Sequence, residues 1–228
     1  TGEANIFRSS LPGVGIYKSM DAGKSFQHIG LENAGTISRI IVHPFHPEIV
    51  YVAASGNEWT YNKDRGVYQT TDGGKTWKRT LGDDEWVGAT DLAMDPRNPD
   101  VMYAATWQRH RSAAAYLGGG PGSGIHKSTD GGNTWTPLKA GLPTSHMGKI
   151  GLAVSPQQPD VIYAAIELDR RTGGVYKSTN KGESWTKQSD AVSGATGPHY
   201  YQELYASPHV FEKWYLRVVR VQTSNDGG

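Results

Sequence analysis

Aromatic, cationic and acidic residues gather in a few stretches of this 228-residue chain, in a mixture suited to sugars or peptides. Residues 55–65 supply Glu58, Trp59, Tyr61, Asp64 and Arg65, and residues 106–116 supply Trp107, Arg109, His110, Arg111 and Tyr116. Later come Glu167, Asp169, Arg170 and Arg171, and then His199, Tyr201 and Glu203. Aromatic faces stack on pyranose rings or extended peptides, and guanidinium groups pair with π faces and anions. On that chemistry the candidate ligand-binding residues are Glu58, Trp59, Arg65, Trp107, Arg109, Arg111, Tyr116, Arg171 and His199. Trp59 and Trp107 carry a second reading, as buried caps at strand ends, because Trp is commonly buried without serving a ligand. His110 and His199 have no second His at ligand spacing, and Asp83, Asp84 and Glu85 read as a solvated turn, so neither metal nor cofactor is expected. The glycine run at 118–124 lacks the Lys and the strand-to-helix setting of a phosphate loop and reads as a flexible return.

A second set of acids belongs to an internal repeat. Ser19-Met-Asp21-Ala-Gly23-Lys-Ser-Phe26 recurs as Thr70-Thr-Asp72-Gly-Gly74-Lys-Thr-Trp77, Ser128-Thr-Asp130-Gly-Gly132-Asn-Thr-Trp135 and Ser178-Thr-Asn180-Lys-Gly182-Glu-Ser-Trp185. A fifth copy begins at Ser224-Asn-Asp226. The copies start 51, 58, 50 and 46 residues apart, the period of a repeat architecture. In a tight turn, Gly supplies positive φ, Asp accepts from the turn's own N–H groups and the hydroxyl braces the loop. Phe26 and the three Trp would pack at blade edges or between neighbouring blades. Asn180 keeps the acceptor without the charge, which a turn tolerates and a catalytic acid does not. The box therefore reads as structural.

Between the boxes lies a Pro-rich hairpin: residues 41–54, 92–105 and 152–165, with a looser copy at 204–215. Apolar β-formers flank prolines that cannot donate to a ladder and so belong in the turn. Each repeat then holds four strands, A and B around the Pro turn and C and D around the box. Four-stranded antiparallel units at this period are propeller blades. The fold class is all-β, a β-propeller of four-stranded antiparallel blades. The expected divisions are 1–36 (partial blade), 37–88, 89–147, 148–199 and 200–228 (partial blade). Cut blade edges are an aggregation liability, so the segment is expected to be part of a larger propeller or to be covered by a neighbouring subunit. A four-bladed ring closed by pairing the two partial blades is the less favoured arrangement.

The Ser/Thr-x-Asp-x-Gly-x-Thr/Ser-Trp box resembles the Asp-box, or BNR repeat, of sialidase-like propellers. With the Pro hairpin it is most similar to bacterial BNR proteins related to the sortilin-type propeller. Sialidase-like enzymes use a Tyr–Glu nucleophile pair, an Asp acid and three arginines on a carboxylate. That resemblance would put Tyr201 and Glu203 in the first role and Arg109, Arg111 and Arg171 in the last. The Phe-Arg-Ile-Pro signature is absent, with Phe7-Arg8 a partial echo. Xyloglucanase-type propellers carry a catalytic Asp just beyond strand B, where this chain has Ala54-Ser-Gly56 and Ala105-Thr-Trp107. Glycoside hydrolysis usually needs two carboxylates, and Asp91 and Asp169 are not placed relative to one another by sequence.

Parity decides where function should sit. A–B and C–D turns share one rim, and B–C and D–A connections share the other. From Pro44, Pro96, Pro156 and Pro208 to the matching Tyr is seven residues every time, whereas from that Tyr to the next box is 19, 25, 15 and 9. Function normally sits on varied loops held by a rigid scaffold. The expectation is a module binding a glycan or protein partner through the rim opposite the boxes. A glycoside hydrolase with part of its catalytic set elsewhere is the alternative, with Tyr201, Glu203 and Asp169 as weak catalytic candidates, and a structural subunit of a larger assembly is the third reading. The resemblance implies an extracellular or periplasmic setting. Charges nearly cancel (23 basic, 22 acidic), which gives no support for nucleic acid or a membrane surface as partner. No stretch has the length of a membrane-spanning helix, and the absence of cysteine rules out disulfides and thiolate metal sites.

Overall fold

The computed structural model describes residues 2–3, 11–168, 172–192, 202–217 and 221–228. A short ladder of β1 (Tyr17–Lys18) and β2 (Gln27–His28) comes first. The first full blade is β3 (Ile37–Val42), β4 (Val50–Ala54), β5 (Gly66–Thr70) and β6 (Lys78–Leu81), hydrogen-bonded in that order. The second is β7 (Val87–Asp95) and β8 (Asn98–Gln108), then, beyond a small hairpin of β9 (His110–Arg111) and β10 (Tyr116–Leu117), β11 (Gly124–Ser128) and β12 (Thr136–Leu138). The third is β13 (Ile150–Val154), β14 (Ile162–Glu167), β15 (Gly173–Ser178) and β16 (Thr186–Ser189). The last sheet is β17 (Glu203–Ala206), β18 (Trp214–Arg217) and β19 (Val221–Ser224). All ladders are antiparallel, and among the described residues none joins the first two-stranded sheet to the last.

Side chains alternate across a strand, so each second strand serves two cores. Tyr51 and Ala53 pack toward the second blade with Leu92, Met102 and Ala104, while Val52 and Ala54 pack back toward Ile16 and Ala34. Met102 and Ala104 face one way, and Tyr103 and Ala105 face the other, against Ile150, Leu152 and Ile162. Tyr163 and Ala165 then meet Leu204, Trp214 and Leu216. The core is thus a series of layers between blades, as a propeller requires. The Ala-Ala ends of the second strands let the sheets approach.

The boxes form the turns expected of them. Asp72 Oδ1 accepts from the N–H groups of Lys75 and Thr76 at 2.9 Å, and its Oδ2 from the Thr76 hydroxyl at 2.7 Å. The same contacts hold Asp21 and Asp130 at a pKa of about 2, the Ser25 and Thr134 hydroxyl bonds being the largest cause. Asn180 reproduces the geometry, accepting from Ser184 N at 3.0 Å and donating to Ser184 Oγ at 2.8 Å. Gly23, Gly74, Gly132 and Gly182 all have φ between 76° and 94°.

Each box is also tied to its own Pro turn and to the preceding blade. Gly73, Gly131, Lys181 and Gly227 donate their N–H to the carbonyls of Glu48, Asp100, Asp160 and Glu212. Both kinds of turn therefore share one rim. The Tyr51 hydroxyl donates to Gly131 O at 3.0 Å and that of Tyr103 to Lys181 O at 3.1 Å, each reaching the next blade's box. This contact explains the invariant Pro-to-Tyr spacing: the reach from turn to neighbouring box is fixed. Trp185 is buried, and Trp77 donates its Nε1 to Ile29 O of the preceding unit. Phe26 departs from expectation, being 65% exposed, because no first or second strand flanks β1 and β2.

Candidate functional site

Three connections on the rim opposite the boxes converge. They are the β4–β5 loop, the β6–β7 connection and the segment carrying β9 and β10. The stiff ends of β4 and β8 deliver their loops there. Trp59 is 44% exposed and Tyr61 53% exposed. The Arg111 guanidinium lies over the Trp59 ring at 5.1 Å and over the Tyr116 ring at 5.6 Å. Beside this row, Tyr61 stacks on His110 with ring centroids 4.9 Å apart and planes 2° from parallel. Trp86 closes against both, at 4.4 Å from His110 and 4.9 Å from Tyr61. The result is a polarised aromatic surface built from two blades. Its flat faces suit sugar rings, and Arg111 offers hydrogen bonds at its edge.

Beneath it lies a buried charge cluster. Glu58 Oε1 stands 3.4 Å from Arg111 Nη1 and 3.9 Å from Arg109 Nη1. Burial pushes the Glu58 carboxyl up, against the pull of Arg109 and Arg111, and the same burial pulls the Arg109 guanidinium down. Neither terminal nitrogen of Arg109 makes a hydrogen bond, and its guanidinium rests 5.1 Å from the Trp107 ring. Glu58 thus holds the two arginines, which in turn hold the aromatic row.

Several residues singled out by type serve the scaffold instead of facing a ligand. Arg65 is buried, and all its donors serve its own loop: Nε to Asn62 Oδ1 at 3.0 Å, Nη1 to Ser55 O at 3.2 Å, and Nη2 to Asn57 O and Thr60 O at 2.6 and 2.9 Å. Burial, aided by the neighbouring Arg109 charge, lowers its pKa to about 10. Trp107 takes the capping role, 2% exposed with Nε1 on Gly118 O at 2.9 Å, while Trp59 stays open. The glycine run is not a loose return. Gly122 N donates to Gln108 Oε1 at 2.9 Å, and a Cβ on Gly119 or Gly120 would come within 2.6 Å of Met147 O or 2.4 Å of Gln108 Oε1. Asp84 caps the acidic turn through Trp86 N at 2.6 Å, and its neighbours are exposed.

The weak catalytic candidates are not assembled. Glu203 Oε2 accepts from the Tyr205 hydroxyl and from Arg217 Nη1, both at 3.0 Å. Asp91 is buried and bridges blades: Oδ1 accepts from Arg39 Nε at 2.7 Å and Oδ2 from Leu152 N at 2.9 Å. Asp169, Arg171, His199 and Tyr201 lie outside the described residues.

Two groupings went unpredicted. The Tyr61–His110–Trp86 stack joins residues from three connections that sequence lists separately. The second grouping lines the axis, where β3, β7, β13 and β17 lie side by side. Five residues before each Pro stand Arg39, Asp91, Gly151 and Glu203, a polar or small position in otherwise apolar first strands. That periodic break was the available signal.

The chain matches the Sortilin-Vps10 family (Sortilin, neurotensin receptor 3) over residues 15–118 and 67–201. It is 25% identical over 183 residues to a probable oligoxyloglucan-reducing end-specific xyloglucanase of Neosartorya fischeri, covering 75% of this chain and 20% of that protein. It is 31% identical over 134 residues to a xyloglucanase of Acetivibrio thermocellus, covering 54% and 15%. This chain spans a fifth of the length of such relatives, or less. Among solved structures, the GH74 xyloglucanase from Xanthomonas campestris superposes with a TM-score of 0.72 at 19% identity, over 95% of this chain and 34% of that one. The GH74 enzyme of Niastella koreensis gives 0.69 at 17%, over 100% and 34%. These two likenesses speak to the fold alone. Four-stranded blades, boxes locked to the preceding blade's Tyr and a family match over most of the length lead to one assignment: the chain belongs to the Sortilin-Vps10 family of Asp-box propellers.

Proposed function

We propose that this chain is a propeller segment of a glycoside hydrolase acting on a glucan of the xyloglucan type, and that the rim opposite the boxes holds the sugar chain. The observation that carries this is the open aromatic surface of Trp59, Tyr61 and Tyr116, fixed from below by Arg111 and Glu58. A solvated aromatic face edged by a guanidinium suits a neutral or weakly polar sugar ring. Residue types alone favoured a binding module over an enzyme, but the names of the matching relatives support the hydrolase alternative. Hydrolysis belongs to the whole protein, and this segment contributes substrate binding. A polymeric glucan substrate fits an extracellular setting.

Affinity electrophoresis of this chain in gels containing xyloglucan tests the binding. Retardation is expected, and Trp59→Ala or Tyr61→Ala should weaken it roughly three- to tenfold, the worth of one aromatic contact. Mobility unchanged by xyloglucan and by other β-glucans would reject the reading. A reducing-end assay on the full-length protein tests the hydrolysis.

A further inference from the structure

At the mouth of the central channel the first strands of four blades enclose a cavity of about 60 Å³. Its acceptors are occupied. Asp91 takes Arg39 and the N–H groups of Leu92 and Leu152, and Glu203 Oε2 takes Tyr205 and Arg217. Its donors are in surplus. Ser38 Oγ and Thr90 Oγ1 line the cavity, buried, with no hydrogen-bond partner, and Thr90 is only 6% exposed. Both stand at equivalent bulges, between Ile37 and Arg39 and between Ala89 and Asp91, where a strand re-aims a side chain.

Charge points the same way. Arg39, Lys149 and Arg217 face two carboxylates, Asp91 and Glu203. Lys149 lines the cavity, and burial pulls its ammonium down to about 8 although Glu203 and Asp91 pull it up, so the site is short of negative charge. A single water needs roughly 10–15 Å³ of such space, so this cavity takes an occupant larger than one water. A pyranose ring does not fit.

We propose that this axial cavity is a binding site for a small monovalent anion, of halide or formate size, held by Lys149 and the hydroxyls of Ser38 and Thr90. The site is separate from the aromatic rim and does not depend on the glycan reading.

Thermal unfolding at constant pH and ionic strength tests it, with sodium gluconate, too large for the cavity, exchanged stepwise for sodium formate or sodium chloride. Tm should rise and saturate, as it does for a ligand that binds only the folded state. Thr90→Val should weaken the apparent formate affinity about ten- to a hundredfold, the worth of one hydrogen bond to a charged group. In gluconate the same substitution should leave Tm unchanged or raised, because a buried unpaired hydroxyl is gone. Ser38→Ala, on another blade, gives the same readout should Thr90→Val not fold. Equal Tm in gluconate, formate and chloride would mean that the cavity holds only water, and the proposal fails. A rise that both variants leave intact would place the anion elsewhere, and the proposal fails equally.

Discussion

Replacing Asp91 should loosen three blades at once. Its carboxylate joins β3 through Arg39, β7 through its own neighbour Leu92, and β13 through the N–H of Leu152. Removing one partner of a buried ion pair costs about 3–5 kcal/mol, because the other charge is left desolvated. Arg39 keeps 29% of its side-chain surface in water, which favours the lower end of that range. The Leu152 N–H, left without its acceptor, adds about 1 kcal/mol or more. Asp91→Ala is therefore expected to destabilise by about 3–5 kcal/mol. Asp91→Asn retains one acceptor oxygen and should cost roughly half as much. Urea unfolding followed by Trp fluorescence measures both, and a chain this long loses about 2–4 °C of Tm per kcal/mol. The Arg39→Met variant and the double variant complete a cycle. Their effects should be strongly non-additive, since Arg39 is harmful once its partner has gone. A cost below about 1 kcal/mol for Asp91→Ala, or simple additivity, would refute the idea that this residue ties the blades together.

Three further expectations follow from single contacts. Tyr51→Phe and Tyr103→Phe should each cost about 1 kcal/mol by urea unfolding, having lost the bond to the next box, whereas Tyr163→Phe should be neutral or stabilising because its buried hydroxyl has no partner among the described residues. Lys181 holds φ 58° where the second and third boxes have Gly, so Lys181→Gly should stabilise by about 1 kcal/mol, read as a raised Tm. Lys149, with a folded-state pKa of about 8 against an ordinary 10.5, is neutral in the folded chain and protonated in the unfolded chain between those values. The unfolded state then binds more protons, so stability should rise between pH 8 and 10 by about 2 kcal/mol, and Lys149→Met should flatten that rise.

The repeat was legible because its physics is local. A Gly at positive φ, an Asp or Asn folding back on its own turn, and prolines placed where no ladder bond is needed are all readable within eight residues. Alternation in 50–54 and 102–105 likewise revealed strands, and counting turns assigned the boxes to one rim. The partners of the hairpin Tyr were out of reach, because the box each one meets lies about 80 residues further on.

Site residues were less legible, since residue type does not say whether a side chain turns inward. Trp59 and Trp107 read alike in sequence, yet one is open and the other is sealed under Gly118. Arg65 and Arg111 read alike too, but only Arg111 reaches the aromatic row. The glycine run at 118–124 looked loose because its composition is permissive, but close backbone approach to Met147 and Gln108 requires those glycines.

Sequence by itself determined the all-β repeat, the blade count and the face on which variation is concentrated, because those follow from short-range periodicity and turn chemistry. Only the tertiary structure decided which rim residues form a surface and which are buried, and that Asp91, Ser38, Thr90 and Lys149 meet at the axis. The reason is geometric: a propeller brings together residues one or more repeats apart, and the strength of a charge or hydroxyl there depends on burial that no local pattern encodes.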